Sequence, residues 1–256
     1  MRDLRGRAVL VTGASSGIGA ATAREMAAWG CRVVVLARRA ERLAEVVRDV
    51  EALGGEAHAI ACDVIDADSV DAAVEQSVEL LGGLDVVVNN AGVMYLGRAD
   101  EAPRSEWDEM VSVNVTGVLN VVHAVLPHLR TAAATNAAGV ADLVNISSVG
   151  GRRASAGTAV YNATKFAVSG LSEALRQELA RQHVRVSSIE PGMVVTEVLE
   201  RSRPGALDSI LEEFDRAPGD IDRLGADDVA EVIAFVVGRP RHVAIADVLL
   251  RPTEQM

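Results

Sequence analysis

Short runs of apolar residues recur along the chain, and most of them are rich in valine, leucine and isoleucine. Several are almost continuously apolar, which is typical of parallel strands that are covered on both faces. Each run has the length of a strand rather than that of a helix. The pattern predicts seven β-strands, at residues 8–12, 32–37, 57–62, 84–89, 142–147, 184–189 and 243–250.

Between these runs, apolar residues recur at intervals of three and four, as they do along one face of an α-helix. The interval is clearest over residues 107–130, and residues 20–29, 158–181 and 226–237 also have a helical pattern. Strands that alternate with helices are typical of a parallel sheet wound by right-handed crossovers. The pattern therefore predicts the α/β class, with a doubly wound sheet and helices on both faces.

Two stretches interrupt this alternation. Residues 131–139 are of low complexity and predict a loop before the fifth strand, while residues 200–223 contain two prolines and two glycines. The second stretch follows the sixth strand, beyond the carboxyl ends of the strands, where such sheets bind ligands. We therefore interpret residues 194–223 as a substrate lid, with a plain surface excursion as the alternative. Residues 1–256 are otherwise expected to form a single domain.

The charge of the chain excludes some classes of partner. Its 256 residues include 25 basic and 36 acidic side chains, so the formal net charge is −11. A field of this sign repels phosphates and argues against a general nucleic-acid binder or a binder of anionic membranes. We expect no apolar run of the roughly 18 residues that a membrane helix needs, and no secretory signal. The expected location is the cytoplasm.

The two cysteines, Cys31 and Cys62, show no spacing that is typical of metal ligands, and no metal site is predicted. Cys31 opens the predicted second strand, whereas Cys62 closes the third. Because parallel strands run in one direction, the two sulfurs should lie near opposite ends, too far apart for a disulfide. We expect both to be small core residues.

A glycine-rich motif follows the first predicted strand. Its spacing is Gly-x3-Gly-x-Gly, which differs from the Gly-x-Gly-x-x-Gly dinucleotide fingerprint. A tight turn that opens a helix presents unpaired N–H groups and a positive dipole end to a pyrophosphate. A purely structural turn is the alternative, but the position between strand and helix favours dinucleotide binding. The candidate contacts are Gly13, Ser15, Ser16, Gly17, Ile18 and Gly19.

The end of the second strand bears on the choice of cofactor. An acidic residue there would bind the ribose 2′-hydroxyl of NAD, but the position holds Ala37, followed by Arg38 and Arg39. An arginine can bind a 2′-phosphate, and the missing acid removes a source of repulsion. The sequence therefore favours NADP(H), with two solvated arginines at a helix start as the alternative.

The chain contains a single lysine, Lys165, and two tyrosines, Tyr95 and Tyr161. Lys165 follows Tyr161 by four residues, so the two side chains share one helix face. A free tyrosine has a pKa of about 10, and a neighbouring ammonium lowers that pKa by stabilising the phenolate. The pair predicts a tyrosine that acts as a general acid or base.

Two further polar residues are candidates for the same site. Ser148 lies at the end of the fifth predicted strand, where its hydroxyl could hold a substrate oxygen. Ser147 is the adjacent competitor, and serines at such positions often only form turns. Asn114 is an unusual choice for a helix interior. It is either an exposed polar position or a side chain that holds a water in a proton path to Lys165.

Taken in order, these motifs are similar to those of the short-chain dehydrogenase/reductase superfamily in its short, single-domain form. The resemblance runs from about residue 4 to the end of the chain. Each motif alone has little specificity, but the combination is highly specific. The motifs are Thr12-Gly13-x3-Gly17-x-Gly19, Asp63, Asn89-Asn90-Ala91-Gly92, Asn114, Ser148, Tyr161-x3-Lys165 and Pro191-Gly192-x3-Thr196.

The resemblance implies a Rossmann fold with seven parallel strands. It also implies that Tyr161 is the acid in carbonyl reduction and the base in alcohol oxidation. Lys165 would bind the nicotinamide ribose and lower the pKa of Tyr161. Ser148 would orient the carbonyl, and Asn114 would anchor a water of the proton relay. Assembly as a dimer or tetramer is implied through residues 107–130 and 158–181.

The resemblance further implies where the cofactor is held. Asp63 and Val64 would contact the adenine, and Asn90 would support the ribose on the nicotinamide side. A segment after the sixth strand would line the nicotinamide and its phosphates. The residues implied in this segment are Pro191, Gly192, Val194 and Thr196, and the further implied cofactor contacts are Ala91, Gly92, Tyr161 and Lys165.

Three stretches narrow the resemblance: residues 37–43, 189–192 and 246–256. They look like an NADP-dependent branch that contains 3-hydroxy acid dehydrogenases and clavulanate-type aldehyde reductases. We therefore expect an oxidoreductase that transfers a hydride between NADP(H) and a small carbonyl, primary alcohol or secondary alcohol. In the lid, Arg201 and Arg203 could recognise a carboxylate, although arginines on such a segment are often solvated.

The sequence argues against two alternatives. The first is a non-catalytic, NADP-binding sensor or partner protein, which has no need for the Tyr161 and Lys165 pair. The second is an epimerase or dehydratase of the extended kind, for which the chain is too short to include the added substrate domain.

Overall fold

A seven-stranded parallel sheet forms the centre of the computed structural model, which describes residues 4–199, 202–203 and 222–255. The strands are β1 (Ala8–Thr12), β2 (Arg32–Ala37), β3 (Glu56–Ala61), β4 (Val86–Asn89), β5 (Ala141–Ile146), β6 (Val184–Pro191) and β7 (Asp247–Leu250). They lie in the order β3-β2-β1-β4-β5-β6-β7, and each neighbouring pair is parallel. This Rossmann arrangement confirms the predicted fold class.

Helices cover both faces of the sheet. They are α1 (Gly17–Ala28), α2 (Ala40–Ala52), α3 (Ala67–Leu81), α4 (Arg104–Val111), α5 (Val118–Thr135), α6 (Ala159–Leu179) and α7 (Ala226–Val237). One core packs α3, α5 and α6 on one face, and a second core packs α1, α2 and α7 on the other. The central strands β4 and β5 are buried at every residue, which explains their continuous apolar runs.

The sheet contains a switch point between β1 and β4. These strands are neighbours, although β2 and β3 separate them along the chain. The chain therefore leaves β1 towards one edge of the sheet and leaves β4 towards the other edge. The connections diverge at the carboxyl ends of these two strands and leave a crevice between them, which is where ligands bind in such sheets.

The predicted seventh strand begins four residues too early. In the structure β7 begins at Asp247. Just before it, side chains donate hydrogen bonds to backbone carbonyl oxygens that would otherwise be available for pairing with a neighbouring strand. The Val243 carbonyl oxygen accepts a hydrogen bond from Arg185 Nη1 at 2.8 Å, and the Ile245 oxygen accepts one from Ser187 Oγ at 2.7 Å. An apolar pattern cannot reveal this competition for the backbone.

The predicted loop at residues 131–139 is also partly wrong, because α5 continues through Thr135. The alanines at 132–134 are strong helix formers, which explains the longer helix. The turn begins at Asn136, whose side-chain oxygen accepts the N–H of Gly139 at 2.7 Å. Its amide nitrogen donates to Asp85 Oδ1 at 2.6 Å and ties the turn to the sheet.

A π-helix, Ser112–Gly117, joins α4 to α5 and gives one helical run of 32 residues, Arg104–Thr135. By length and composition alone this run could cross a membrane, so the expectation that no stretch has that length is wrong. In the described structure 44% of its most apolar window is buried inside the protein. Val121, Val125 and Leu129 pack in the core on the sheet, which accounts for the apolar character.

The two cysteines lie where the strand pattern places them. Cys31 directly precedes β2 and Cys62 directly follows β3, and both thiols are buried and free. Burial raises the pKa of Cys31 to about 12, and burial also raises the pKa of Cys62. Both groups therefore remain protonated thiols at neutral pH.

Candidate active site

The turn between β1 and α1 depends on two glycines in the left-handed region. Gly13 has a φ of 63° and Gly17 a φ of 53°, which side chains rarely tolerate. A Cβ atom on Gly13 would also lie 2.7 Å from the Cα atom of Ala91, after β4. The turn leads directly into α1, whose first N–H groups have no partners within the helix. This arrangement is suited to binding an anion.

Hydrogen bonds join the ends of β1 and β4 beside this turn. The Thr12 hydroxyl oxygen accepts the N–H groups of Asn90 and Ala91, both at 3.0 Å. In return, the Asn90 amide nitrogen donates to the carbonyl oxygens of Thr12 at 3.0 Å and Gly13 at 3.3 Å. The Asn90 side chain thus holds the backbone of the turn, and the residue also lines the cleft.

The residues after β2 form another part of the wall. Arg39 donates to the hydroxyl oxygens of Ser15 and Ser16, each 3.0 Å from Nη2. It also binds Glu197, with Oε2 3.1 Å from both terminal nitrogens. Arg38 is exposed on the same wall, and no partner of its side chain is found among the described residues. Of the two arginines, Arg38 is therefore the one with a free guanidinium.

Asp63 and Val64 follow β3 and line the same end of the cleft. The Asp63 N–H donates to the hydroxyl of Ser69 at 3.3 Å, and the Val64 carbonyl oxygen accepts from the amide of Asn120 at 2.9 Å. These bonds hold the backbone of both residues against α3 and α5. Both residues lie beside the end of β2, because β3 is its neighbour in the sheet.

The polar residues predicted for catalysis meet at the ends of β5 and β6. Ser148 follows β5, and its Oγ atom accepts the Gly150 N–H at 3.1 Å and donates to the Pro191 carbonyl oxygen at 3.4 Å. Tyr161 and Lys165 lie in the first two turns of α6. Lys165 Nζ is 5.8 Å from the centre of the Tyr161 ring. The helix therefore brings the ammonium to the phenol, as the spacing predicts.

Burial disfavours the ionised forms of Tyr161 and Lys165. Burial raises the pKa of Tyr161, and a hydrogen bond with Ser148 only partly offsets this effect. Burial lowers the pKa of Lys165 to about 8. The Lys165 ammonium donates to the Ile146 carbonyl oxygen at 2.9 Å rather than to the phenol. The expected lowering of the Tyr161 pKa is therefore wrong for this geometry, in which desolvation dominates and the lysine is engaged by the backbone.

Asn114 lies behind the cleft wall, in the π-helix, and is fully buried. Its side chain binds both backbone groups of Val93, at 2.8 Å and 2.9 Å, and donates to Thr164 Oγ1 at 3.1 Å. A Cβ atom on Gly92 would lie 3.4 Å from Asn114 Oδ1 and 3.6 Å from Lys165 Nζ. The side chain thus joins the Val93 loop to α6.

The segment after β6 closes the other side of the cleft. The Gly192 N–H donates to the Leu250 carbonyl oxygen at 2.7 Å, which holds the turn against β7. The Met193 N–H donates to Oε1 of Gln255 at 3.0 Å, so that the chain near its C-terminal end packs on this turn. Thr196 reaches the glycine turn, because a Cβ on Gly17 would lie 3.0 Å from its methyl group.

These elements enclose a cleft of about 1060 Å³. Among the residues predicted for the site, Gly19 and Asn114 do not line it. Gly19 is buried under the turn, and a Cβ there would lie 2.5 Å from the Gly13 carbonyl oxygen. The residues that do line it are Gly13, Ser15, Ser16, Gly17, Ile18, Arg38, Arg39, Asp63, Val64, Asn90, Ala91, Gly92, Ser148, Tyr161, Lys165, Pro191, Gly192, Val194 and Thr196.

Seven polar residues of the cleft wall have no candidate role in the sequence analysis: Arg153, Ser155, Thr158, Asn162, Glu197, Arg223 and Gln255. Glu197 and Arg223 fall within the stretch interpreted as a lid, but none of these residues is a specified position of a motif. Within the described ranges, no group of three or more histidine, cysteine or acidic side chains is placed to hold a metal ion.

Most of the predicted lid, including Arg201, lies outside the described residues. Arg203 is described and does not line the cleft. Its Nε atom is 3.7 Å from Glu106 Oε1, and its Nη1 atom donates to the Glu101 carbonyl oxygen at 3.2 Å. The proposed carboxylate-binding role is therefore wrong for Arg203, because acceptors away from the cleft engage its guanidinium.

Known proteins identify the family. A sequence profile described as short chain dehydrogenase matches residues 7–206, most of the chain. The chain belongs to the short chain dehydrogenase family. An uncharacterized oxidoreductase of Staphylococcus haemolyticus is 34% identical over 252 residues, which cover 98% of this chain and 100% of that protein. The resemblance drawn from the motifs is thus confirmed at the level of the superfamily.

Solved structures of the short chain dehydrogenase family superpose closely on this chain. A short chain dehydrogenase from Burkholderia cenocepacia in complex with NADP is 33% identical, with a TM-score of 0.82 and 98% of each chain covered. A 3-ketoacyl-(acyl-carrier-protein) reductase from Brucella melitensis complexed with NADH is 31% identical, with a TM-score of 0.82, and 96% of this chain and 97% of that chain are covered. The protein is thus an oxidoreductase of the short chain dehydrogenase family.

The buried lysine of this dehydrogenase leads to a prediction about stability. Moving the Lys165 pKa from 10.5 to about 8 corresponds to roughly 3 kcal/mol against folding below about pH 8. This penalty fades as the pH rises from about 8 towards 10.5, because the unfolded lysine then also loses its proton. Replacing Lys165 by methionine removes the penalty but leaves the Ile146 carbonyl oxygen unpaired, at a cost of about 1–3 kcal/mol.

Lys165→Met should therefore melt no lower than the parent protein at neutral pH, and up to about 5 °C higher. Differential scanning calorimetry at about pH 7 and about pH 9 measures the difference. The advantage of the variant should shrink at the higher pH, where the folded lysine is already neutral. A variant that melts several degrees lower at both pH values would contradict the assigned penalty.

Proposed function

We propose that this protein is an NADP(H)-dependent dehydrogenase/reductase that interconverts a small carbonyl compound and its primary or secondary alcohol. The observation that carries this proposal is that Ser148, Tyr161 and Lys165 line the same cleft as the glycine turn at Gly13 and Gly17. A phenol, a hydroxyl and an ammonium lie together where a dinucleotide can enter. Such an arrangement suits proton transfer to or from a substrate oxygen.

The cleft fits a dinucleotide in shape and in chemistry. The turn at Gly13 and Gly17 leaves no room for side chains where the backbone approaches the start of α1, as a pyrophosphate site requires. Asp63 and Val64 would hold the adenosine end, and Pro191 and Thr196 would hold the nicotinamide end. When bound, the cofactor supplies or accepts the hydride, which the side chains of this chain cannot do.

The chain itself supplies the proton and the orientation. In reduction, the Tyr161 hydroxyl donates its proton to the substrate oxygen while the carbonyl carbon accepts the hydride; in oxidation, the phenolate takes the alcohol proton. Ser148 Oγ holds the same oxygen by a hydrogen bond. The Lys165 ammonium lies one helical turn away, with Nζ 5.8 Å from the centre of the Tyr161 ring, and its charge would favour the phenolate.

The choice of NADP(H) is supported by the end of β2. Arg38 is exposed on the cleft wall without a partner among the described residues, and Arg39 lies beside it on the serines of the turn. Ala37 provides no carboxylate for a ribose 2′-hydroxyl. Two guanidinium groups at this place suit a 2′-phosphate, which accepts forked hydrogen bonds from arginine.

Exposed apolar side chains support assembly with further copies of the chain. Val111 at the end of α4, Leu119 in the first turn of α5 and Phe166 on α6 are each nearly half exposed. Large apolar residues on neighbouring helices of one layer are typical of surfaces that bury on association. We propose a homodimer or homotetramer that uses this helical layer, in a cytoplasmic enzyme.

The reaction is tested with Tyr161→Phe, which removes only the hydroxyl. We expect NADPH oxidation over a panel of aldehydes, ketones, 3-oxo acids and quinones to fall at least about 100-fold, with NADPH affinity retained. Tyr95→Phe is the matched control, because Tyr95 is the other tyrosine and bonds Glu109 away from this pair. An unchanged rate in Tyr161→Phe refutes the assigned acid. NADPH binding without turnover of any substrate would instead favour a sensor.

The cofactor preference is tested with Arg38→Ala. The Kd for NADPH should rise about tenfold, as expected for the loss of a charged hydrogen bond, while the Kd for NADH should change by less than about twofold. Titration of the intrinsic or nicotinamide fluorescence measures both. Equal losses for the two cofactors would show that Arg38 does not bind the 2′-phosphate.

The assembly is tested by light scattering of the parent protein and of Phe166→Glu. We expect a mass of two or four chains for the parent and a smaller mass for the variant, since a charge in a buried contact is costly. Leu53→Glu is the control, because Leu53 is exposed at the end of α2, away from this layer. A parent protein that is monomeric at micromolar concentration contradicts the proposal.

A further inference from the structure

One ion pair links the two walls of the cleft. Glu197 stands directly after Thr196, at the start of the short helical turn Glu197–Leu199, whereas Arg39 follows β2. Nη1 and Nη2 of Arg39 are each 3.1 Å from Glu197 Oε2, and Arg42 Nη2 is 3.9 Å from Oε1. The carboxylate thus faces two arginines at the place proposed for the 2′-phosphate.

The guanidinium of Arg39 is already engaged at every nitrogen. Its Nε atom donates to Ser15 Oγ at 3.2 Å, and Nη2 also reaches Ser15 and Ser16 at 3.0 Å. Glu197 is the only charged acceptor in this set. A hydroxyl can turn and donate to an arriving phosphate, but a carboxylate has no proton to give and repels it.

Glu197 is also ionised at neutral pH. Partial burial alone would raise its pKa, but the hydrogen bond and charge of Arg39, with help from Ser16 and Arg42, hold the pKa below its usual value. The carboxylate therefore acts as a permanent anion beside Arg39. It offers that arginine the same charge-assisted, forked contact that a phosphate would make.

We propose that Glu197 is a cofactor-specificity residue, whose carboxylate holds the place of the 2′-phosphate on Arg39 until NADP(H) exchanges one anion for the other. The proposal rests on the NADP(H) dependence proposed above. A dianionic phosphate is the stronger acceptor and displaces the carboxylate. NAD(H) has only a hydroxyl at this position, so it leaves the Arg39–Glu197 pair in place. Because the carboxylate must leave Arg39 before the phosphate binds, the exchange reduces the affinity that NADP(H) gains from its 2′-phosphate. The affinity for NAD(H) is not affected.

Glu197→Gln tests this exchange, because it keeps the shape of the side chain and removes its charge. Calorimetry measures the Kd of adenosine 2′,5′-bisphosphate and adenosine 5′-monophosphate, which read the adenosine end alone, and of NADPH and NADH. The variant should bind the bisphosphate and NADPH about three- to fivefold more tightly, as expected for loss of one partly exposed charge pair. The monophosphate and NADH should change by less than about twofold.

Two further variants make the result specific. Glu45→Gln is the matched control, because Glu45 pairs with Arg42 at 3.4 Å on the same surface and does not line the cleft. It should leave all four affinities unchanged. In an Arg39→Ala background, Glu197→Gln should no longer tighten NADPH, since the arginine for which the two anions compete is gone.

The outcomes separate the two proposals. If the parent prefers NADPH and loses that preference in Arg39→Ala, but Glu197→Gln changes nothing, the exchange is refuted and the NADP(H) dependence stands. Weaker NADPH binding in Glu197→Gln, or equal tightening of NADH, also refutes it. If the parent prefers NADH, the proposed dependence itself fails. Retained NADH binding and an unchanged melting temperature in Glu197→Gln show that the variant is folded.

Discussion

The close approach of the backbone at the ends of β1 and β4 is the constraint on which the site depends. A side chain at position 13 would collide with the Cα atom of Ala91, so the two strand ends can meet only through glycine. The Thr12 hydroxyl and the Asn90 amide fasten the contact from both sides. Without it, the start of α1 would move away from the crevice, and the wall that a dinucleotide needs would be lost.

On the opposite wall, two groups that can carry charge are removed from water. The phenol of Tyr161 and the ammonium of Lys165 lie where burial disfavours their charged forms, and the ammonium donates its hydrogen bond to a backbone carbonyl. Groups placed in this way destabilise the fold, which is common at functional sites. The same exclusion of water strengthens any electrostatic contact that forms there. An ammonium that destabilises the fold can therefore also stabilise a neighbouring phenolate.

Local patterns predicted much of this molecule, since burial on both faces makes strands such as β4 continuously apolar, and a spacing of four places Tyr161 beside Lys165. Patterns failed where side chains compete for the backbone, as Arg185 and Ser187 do before β7. They also failed for contacts between distant segments. Glu197 and Arg39 are 158 positions apart in the sequence, and Gln255 and Met193 are 62 apart. Neither contact can therefore be recognised from a local sequence pattern.

The scarcity of lysine gives this site a chemical signature. Lys165 is the only lysine in the sequence, and 5% of its surface is exposed. A reagent that acylates neutral amines would normally spread over many lysines of a protein this size. Here it has one side-chain target, at the wall of the cleft, and a pKa of about 8 leaves part of that amine unprotonated near neutral pH. Mass added to this single residue would therefore report directly on access to the cleft.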